Sequence, residues 1–413
     1  MGGFGGSNSY KDCVTNEIVF YIHLTDVAFM YSTPRLSSIS NFAVTYRCNS
    51  RCSTCNIWSR DAGNELSLSE IRDFLSSNRK LLGSVTSVQL TGGEPFLRSD
   101  LCEIAKVFWG ELPGCSIWVA TNGLLPEVIE VETRRMLRCR KGPLGVTVSL
   151  DGVGATHDAQ RGVVGGYDCT IRTIEILSKL RGEGEALSVS VGLTLTPLNL
   201  GEVGTVLAVV ESFGADFTVR PMNVSAIYYG NEAKAATWDW VAVEGALDSV
   251  AKHYIRNRRY LRSLPVLAYL RGMLGYMLEP RPRSGCSAGS SSLFLAPNGD
   301  VYPCLMMGEK VGNVLETPFA NIWSGDAALA ARVKIATGRC PGCWVECETM
   351  REVRRDKLGL VLEYVRSLPL LLAQSGVCIT DTFDDPKSTS LYSDPRKNSR
   401  AKQRPLSDSF DYN

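Results

Sequence analysis

The chain has 413 residues, 44% apolar and 21% charged, with 44 Lys and Arg against 43 Asp and Glu. That length exceeds one small core and suits one large domain with appendages. A net charge of +1 argues against nucleic acid or another polyanion as the main partner and leaves room only for a local basic patch.

The Gly- and Ser-rich start, Gly2 to Ser9, carries no basic stretch leading into an apolar run, so no secretory signal is read there. The first apolar run, Ile18 to Leu24, is far shorter than the roughly 20 residues that span a bilayer. The expectation is a cytoplasmic protein without a transmembrane segment. In such a compartment the 14 cysteines point to metal binding or catalysis rather than disulfides.

From about residue 40 to 221, β-rich runs alternate with helical patterns. The strand candidates are Phe42–Tyr46, Val85–Thr91, Ser116–Thr121, Gly145–Leu150, Ser188–Thr196 and Asp216–Pro221, bounded by Gly, Asn or Pro. Helical spacing covers Ser69–Leu82, with Ser67 and Glu70 as a capping box, then Asp100–Trp109, Glu127–Cys139, Asp168–Leu180 and Leu200–Phe213. Six β-α units in series predict a parallel sheet with right-handed crossovers. Six are too few for a closed eight-stranded barrel, so the fold class is α/β, a (β/α)6 partial TIM barrel. Its ligands belong at the carboxyl ends of the strands.

The first strand is followed by Cys48-Asn-Ser-Arg-Cys52-Ser-Thr-Cys55. Three thiolates on one loop can hold a cubane iron–sulfur cluster and leave one iron open to a small ligand, or they can be part of a zinc loop. The second strand ends in Thr91-Gly92-Gly93-Glu94-Pro95, where glycines permit close approach to a ligand and a carboxylate can accept from an ammonium group. The third ends at Thr121-Asn122-Gly123, and the fourth at Ser149-Leu150-Asp151-Gly152, followed by His157-Asp158 and Arg161-Gly162. His157 reads as a hydrogen-bonding group that orders its loop. Thr194 and Thr196 share a face of the fifth strand, and Arg220 near the end of the sixth can meet a ligand or pair with a carboxylate.

Farther on, Cys286 and Cys304 bracket a hairpin with an Asn298-Gly299 turn, and Cys340-Pro-Gly-Cys343 is a tight knuckle with Cys347 beyond it. Four thiolates converging here suit either zinc or a second iron–sulfur cluster.

Together these motifs resemble the radical S-adenosylmethionine (SAM) superfamily with a C-terminal SPASM/twitch domain, over about residues 40–350. The resemblance implies a [4Fe–4S] cluster on Cys48, Cys52 and Cys55 that cleaves SAM to methionine and a 5′-deoxyadenosyl radical, which abstracts hydrogen from a substrate. It implies that Gly92, Gly93 and Glu94 hold the amino group of SAM, with Asn122, Ser149, Asp151, Thr194 and Arg220 as further cofactor-binding residues. Thr54 stands where the family often has an aromatic residue, and Trp58 is a candidate substitute. The C-terminal cysteines then hold an auxiliary [4Fe–4S] cluster in the shorter twitch form, with Cys347 as a spare or replacement ligand. Cys13, Cys102, Cys115, Cys139 and Cys169 read as small buried residues.

The expected layout is an N-terminal extension (1–38), the radical core (39–225), a helical bridge (226–284), the auxiliary-cluster domain (285–350), a C-terminal helix (351–383) broken or ended at Pro369, and a disordered tail (384–413). Apolar residues within 360–372 are expected to pack against the body rather than to meet a membrane or partner. The expected substrate is a small molecule or lipid. A peptide or protein substrate is the alternative, disfavoured by an N-terminal extension shorter than a leader-recognition domain. Flavodoxin or ferredoxin is the expected kind of electron donor. The rivals from other classes are a zinc-binding scaffold and a thiol oxidoreductase using Cys340 and Cys343.

Overall fold

Each predicted run rich in Val, Thr, Leu and Ile becomes a strand. In the computed structural model, which describes residues 34–374 apart from 62, 235, 258, 259 and 284, the strands are β1 (Ser38–Thr45), β2 (Ser87–Gly92), β3 (Ser116–Thr121), β4 (Leu144–Ser149), β5 (Leu187–Leu195) and β6 (Asp216–Pro221). They lie side by side in sequence order and all neighbours are parallel. The helices between them are α1 (Leu68–Ser77), α2 (Leu101–Glu111), α3 (Pro126–Cys139), α4 (Ala155–Arg161), α5 (Gly166–Gly182) and α6 (Val203–Ser212). The Ser67–Glu70 capping box forms. The helix expected to reach Leu82 stops at Asn78, whose side-chain amide donates to the Phe74 carbonyl at 2.7 Å, and one further helical turn covers Arg79–Leu82.

The period of two gives the strands different faces. Val88, Leu90, Ile117, Val119, Val146, Val148, Phe217 and Val219 are buried in the main apolar core. The alternate residues, among them Thr91, Trp118, Thr147, Ser149, Ser190, Thr218 and Arg220, line an interior cavity of about 620 Å³. A closed barrel of eight strands fills its interior with branched side chains. Here six strands leave the middle open and polar. Gly145 lies opposite Trp118 on β3, where a Cβ would stand 2.5 Å from the indole, so glycine makes room for that ring in the cavity wall.

The C-terminal region extends this sheet. β7 (Ser292–Leu295) pairs in parallel with the free edge of β1, and β8 (Asp300–Tyr302) and β9 (Gly312–Asn313) continue antiparallel, giving nine strands. The predicted hairpin forms with Phe294 opposite Tyr302, and Gly299 takes the positive φ of 87° that its turn requires. After α9 (Phe319–Ser324) and α10 (Asp326–Ala336), α11 (Glu346–Arg355) lines the cavity with Glu346, Cys347, Met350 and Arg351. Its buried Glu348 accepts hydrogen bonds from Ser40 of β1 at 2.5 Å and from Ser292 of β7 at 2.7 Å.

Before that region, α7 (Trp240–Asn257) and α8 (Tyr260–Leu278) cover the β6 side, with Val243, Leu247, Val250 and Tyr254 buried and Trp238 and Trp240 half-buried. The bridge is not helical from its start: residues 226–234 form a loop that belongs to the site below, and the first helix of the bridge starts at Trp240. The C-terminal helix also differs from expectation. The break falls at Asp356, and α12 (Lys357–Gln374) runs through Pro369. On it Leu358, Val361, Leu362 and Val365 are exposed while Glu363 and Ser367 are buried against α8, so the packing expected within 360–372 holds for one face of the helix only. Among the described residues no helix is long and apolar enough to cross a membrane. Ile18–Leu24, Cys13, Cys378 and the tail expected to be disordered lie outside the described residues.

Replacing Glu348 with Ala leaves two buried hydroxyls without their acceptor. A loss of about 2–4 kcal/mol in the cofactor-free chain is expected by urea denaturation, against about 1 kcal/mol for Ser292→Ala. Equal, small losses would show that this carboxylate does not tie the regions together.

Candidate functional site

The cysteine loop leaves β1 and is pinned on three sides. Toward β2, the Gly93 and Glu94 amides donate to the Thr45 and Arg47 carbonyls at 2.8 Å each. A Cβ on Gly92 or Gly93 would stand 2.1 Å from those same two carbonyl oxygens, and Gly92 has φ +125°. The glycines are thus required by chain meeting chain; the approach to a ligand inferred from sequence is not what demands them, although both line the cavity. Toward α4, the Arg51 and Ser53 amides donate to the Arg161 and Gln160 carbonyls at 2.9 and 2.8 Å. On the third side the 222–234 loop closes in: the Asn56 amide donates to the Tyr229 carbonyl at 2.6 Å, and the Asn231 side-chain amide donates to the Thr54 carbonyl at 2.8 Å.

Cys48, Cys52 and Cys55 all line the cavity. Donors are already aimed at their sulfurs. The Ser50 amide is 3.5 Å from Cys48, the Ile57 amide 3.4 Å from Cys55 and the Arg161 guanidinium 3.8 Å from Cys52. Burial pushes the Cys48 thiol up and the Cys55 thiol to about 11, so a bound cation is needed to hold them as thiolates. Among the described residues no three His, Cys, Asp or Glu side chains are grouped so as to hold a single metal ion. Thiols set around a space, each met by an N–H donor, suit a multi-iron cluster better than one tetrahedral zinc.

The remaining candidates divide into those facing the cavity and those bracing it. Asn122, Ser149, Thr194 and Arg220 face it. The Asn122 side-chain amide donates to Asn49 at 2.7 Å and Ser50 at 3.0 Å, clamping the cysteine loop to the end of β3. Glu94 is buried and its carboxylate accepts from Thr121, the Phe96 amide and the Asn122 amide at 2.9, 3.2 and 2.7 Å. Burial pushes its carboxyl up to about 7 despite those bonds. Asp151 accepts from the Thr194 amide at 2.7 Å and pairs with Arg161 at 2.7 Å, so it braces the site more than it presents a carboxylate. The Arg161 Nε is buried without a partner among the described residues, a donor left over for an anionic group. His157 accepts from the Asp151 amide at 3.1 Å, and burial lowers it to about 4, matching the loop-ordering role expected. Trp58 does not take the place of the family's aromatic residue: Arg51 stacks on it at 4.7 Å and it stands clear of the cavity. Tyr228 and Tyr229 line the cavity instead, their rings 4.9 Å apart.

The second thiol group lies close by. Cys48, Cys55, Cys304, Cys343 and Cys347 pack around one apolar cluster that includes Tyr228, Phe294 and Val345. Cys286, Cys304 and Cys340 meet a smaller one of Ala288, Met307, Ala331 and Ile335. The Met306 amide is 3.4 Å from the Cys304 sulfur and the Asn41 side-chain amide 3.5 Å from that of Cys347, which lines the main cavity. Burial raises Cys286 to about 11 and Cys347 to about 12, and pushes Cys304 and Cys343 up as well. These residues fit an iron–sulfur cluster on the same grounds as the first set.

Sequence reasoning missed Arg161 as a site residue, the belt of Asn223, Tyr228, Tyr229, Asn231 and Lys234, and Glu346 at the start of α11. The Arg-Gly step after His157 was the one available signal for Arg161. For the others no periodicity or spacing marks a loop that becomes functional only by lying between two cysteine groups.

Among known families, residues 42–208 match the Radical SAM superfamily and residues 286–347 match an iron–sulfur cluster-binding domain, SPASM. The chain belongs to the radical SAM superfamily. It is an enzyme of that superfamily whose cofactors are SAM and a [4Fe–4S] cluster, with an auxiliary iron–sulfur domain at its C-terminal end. It is 27% identical over 311 residues to an AdoMet-dependent heme synthase of Methanosarcina barkeri, covering 71% of this chain and 83% of that one. It is also 27% identical over 352 residues to a pre-heme d1 synthase of Dinoroseobacter shibae (78% and 82%), and 25% identical over 297 residues to the subtilosin biosynthesis protein AlbA of Bacillus subtilis (69% and 59%). In fold it is similar to Streptococcus suis SuiB bound to S-adenosylmethionine, with TM-score 0.55 and 14% identity over 79% of this chain and 73% of that one.

Two outcomes follow for this radical SAM site. Asp151→Asn leaves the Arg161 charge buried without its counter-ion, and about 3–5 kcal/mol of stability should be lost; a change under about 1 kcal/mol would show the pair to be dispensable. For Glu94, the folded value of about 7 lies above the ordinary 4.5, so the folded chain retains a proton that the unfolded chain releases. Its contribution is therefore greatest at low pH and is lost as pH rises through 7. Cofactor-free protein should lose on the order of 2 kcal/mol between about pH 5.5 and about pH 8, and Glu94→Gln should flatten that slope in urea melts.

Proposed function

We propose that Cys48, Cys52 and Cys55 hold the [4Fe–4S] cluster that binds SAM, and that Cys286, Cys304, Cys340 and Cys343 hold one auxiliary [4Fe–4S] cluster. Bound together, the first cluster and SAM supply one-electron cleavage of the sulfonium and, from it, hydrogen abstraction from a substrate. The observation that carries this reading is the single cavity that contains the thiol loop at the strand ends, Cys347 on its flank and Arg220 and Glu346 among its walls.

The chain's own residues then have distinct tasks. Gly92, Gly93 and Glu94 present the end of β2 to the amino group of SAM, and an ammonium there favours the Glu94 carboxylate. Arg161, held by Asp151, offers its remaining donor to the carboxylate of SAM. Asn122, Ser149 and Thr194 offer polar contacts, and Tyr228 and Tyr229 stand in the cavity wall between the two thiol groups. Arg220 and Glu346 lie on the face left to the substrate. Cys347 is assigned as a spare ligand beside the auxiliary cluster.

The substrate proposed is a small molecule or lipid held inside the open barrel. The relatives named for heme and pre-heme d1 synthesis support a small molecule. A peptide is the second reading, favoured by the relative named for bacteriocin biosynthesis. A reducing compartment and a flavodoxin- or ferredoxin-type donor complete the proposal.

The test is iron and sulfide per chain after anaerobic reconstitution. About eight irons are expected in the wild type, and about four in C48A/C52A/C55A and in C286A/C304A/C340A/C343A alike. SAM binding should disappear in the first variant and persist in the second. About four irons in the wild type, falling to none in the first variant, would leave the C-terminal thiols without a cluster.

A further inference from the structure

The C-terminal helix α12 is built inside out. Leu358, Val361, Leu362 and Val365 follow the i, i+3, i+4, i+7 spacing of one helical stripe, and all four are exposed, from 47% to 71%. Two of its polar residues point inward, while Lys357, Tyr364 and Arg366 stand exposed. Glu363 and Ser367 are buried. Glu363 takes a two-pronged bond from Arg271 of α8 at 2.9 and 3.3 Å and a third from Ser367 at 2.8 Å. That buried network fixes the roll of the helix. Turning the apolar stripe inward would expose apolar groups elsewhere and strand a buried charge, so the stripe is held toward solvent.

The charges around the stripe say what it faces. Lys357 precedes Leu358 and Arg366 follows Val365, which places them on opposite flanks of the stripe. Arg354 and Arg355 stand exposed just before the helix starts. Among residues 354–366 the exposed charged side chains are Arg354, Arg355, Lys357 and Arg366 against Asp356 alone. A chain of net charge +1 has thus gathered cations around this exposed apolar stripe. An apolar stripe flanked by Lys and Arg is the form of a helix that lies in the plane of an anionic bilayer surface, with its aliphatic groups below the headgroups and its cations among them.

We propose that α12 docks this enzyme, reversibly and side-on, to an anionic lipid surface. The inference does not depend on the cofactor and substrate assignments. It names a surface, not a spanning segment.

Sedimentation of the full-length, cluster-loaded enzyme with lipid vesicles tests it. Vesicles of phosphatidylcholine with about 30% phosphatidylglycerol should carry the protein down at low salt, pure phosphatidylcholine should not, and added salt should release it. R355Q/K357Q/R366Q should weaken binding by about fivefold per charge removed, and V361D/L362D should abolish it. Unchanged iron content and melting temperature will show that both variants remain folded. No sedimentation, equal binding to neutral vesicles, or variants that bind like the wild type would overturn the proposal. So would a dimer that V361D/L362D dissociates in light scattering, which assigns the stripe to a second copy. Vesicle binding that emerges only once residues 1–33 or 375–413 are removed would equally overturn it, by assigning the stripe to the chain's own ends.

Discussion

Both edges of β1 are occupied, and the site depends on that constraint. On one side β2 brings Gly92 and Gly93 against the carbonyls of Thr45 and Arg47, fixing the start of the cysteine loop. On the other side β7 brings the cysteine-rich hairpin into the same sheet, and Glu348 joins the two strands. Two groups of thiols more than 200 residues apart are thereby placed on a single rigid element. Precision of that kind matters where a cofactor supplies the chemistry and the protein supplies position.

The open barrel is the second consequence. Six strands cannot pack their inner faces against each other as eight do, and the polar alternate residues show that the inner face is meant to stay wet or ligand-filled. Arg161 and Asp151 illustrate how charge is managed there. The pair is almost wholly buried, so it stabilises little by itself, yet each charge would be costly without the other. Its value lies in orientation: Asp151 fixes Arg161, and Arg161 fixes Cys52 and the loop that carries it.

The helix α12 buries two polar residues, Glu363 and Ser367, and leaves an apolar stripe to solvent. The inward Glu363–Arg271 pair limits how the helix can settle on α8, and the outward stripe is what remains. A sequence scan gives the stripe its period but not its direction.

Much was legible in the sequence alone. Runs rich in Val, Thr, Leu and Ile and bounded by turn residues located all six barrel strands, with differences only at their ends, because strand propensity and turn chemistry are local properties. The three-cysteine spacing, the Gly-Gly-Glu step and the Asn-Gly hairpin are local features too, and each stands where its motif placed it. What the tertiary structure decided concerns partners far apart in the chain: β7 on the edge of β1, Glu348 between Ser40 and Ser292, Tyr228 and Tyr229 in the cavity wall, and Glu346 in the barrel cavity. The same holds for the close backbone contacts that Gly92 and Gly93 permit and for the pairing of Asp151 with Arg161. Spacing records what a segment can do by itself. Which carboxylate meets which cation, and which face of a helix is left to solvent, depends on contacts between segments that no local pattern encodes.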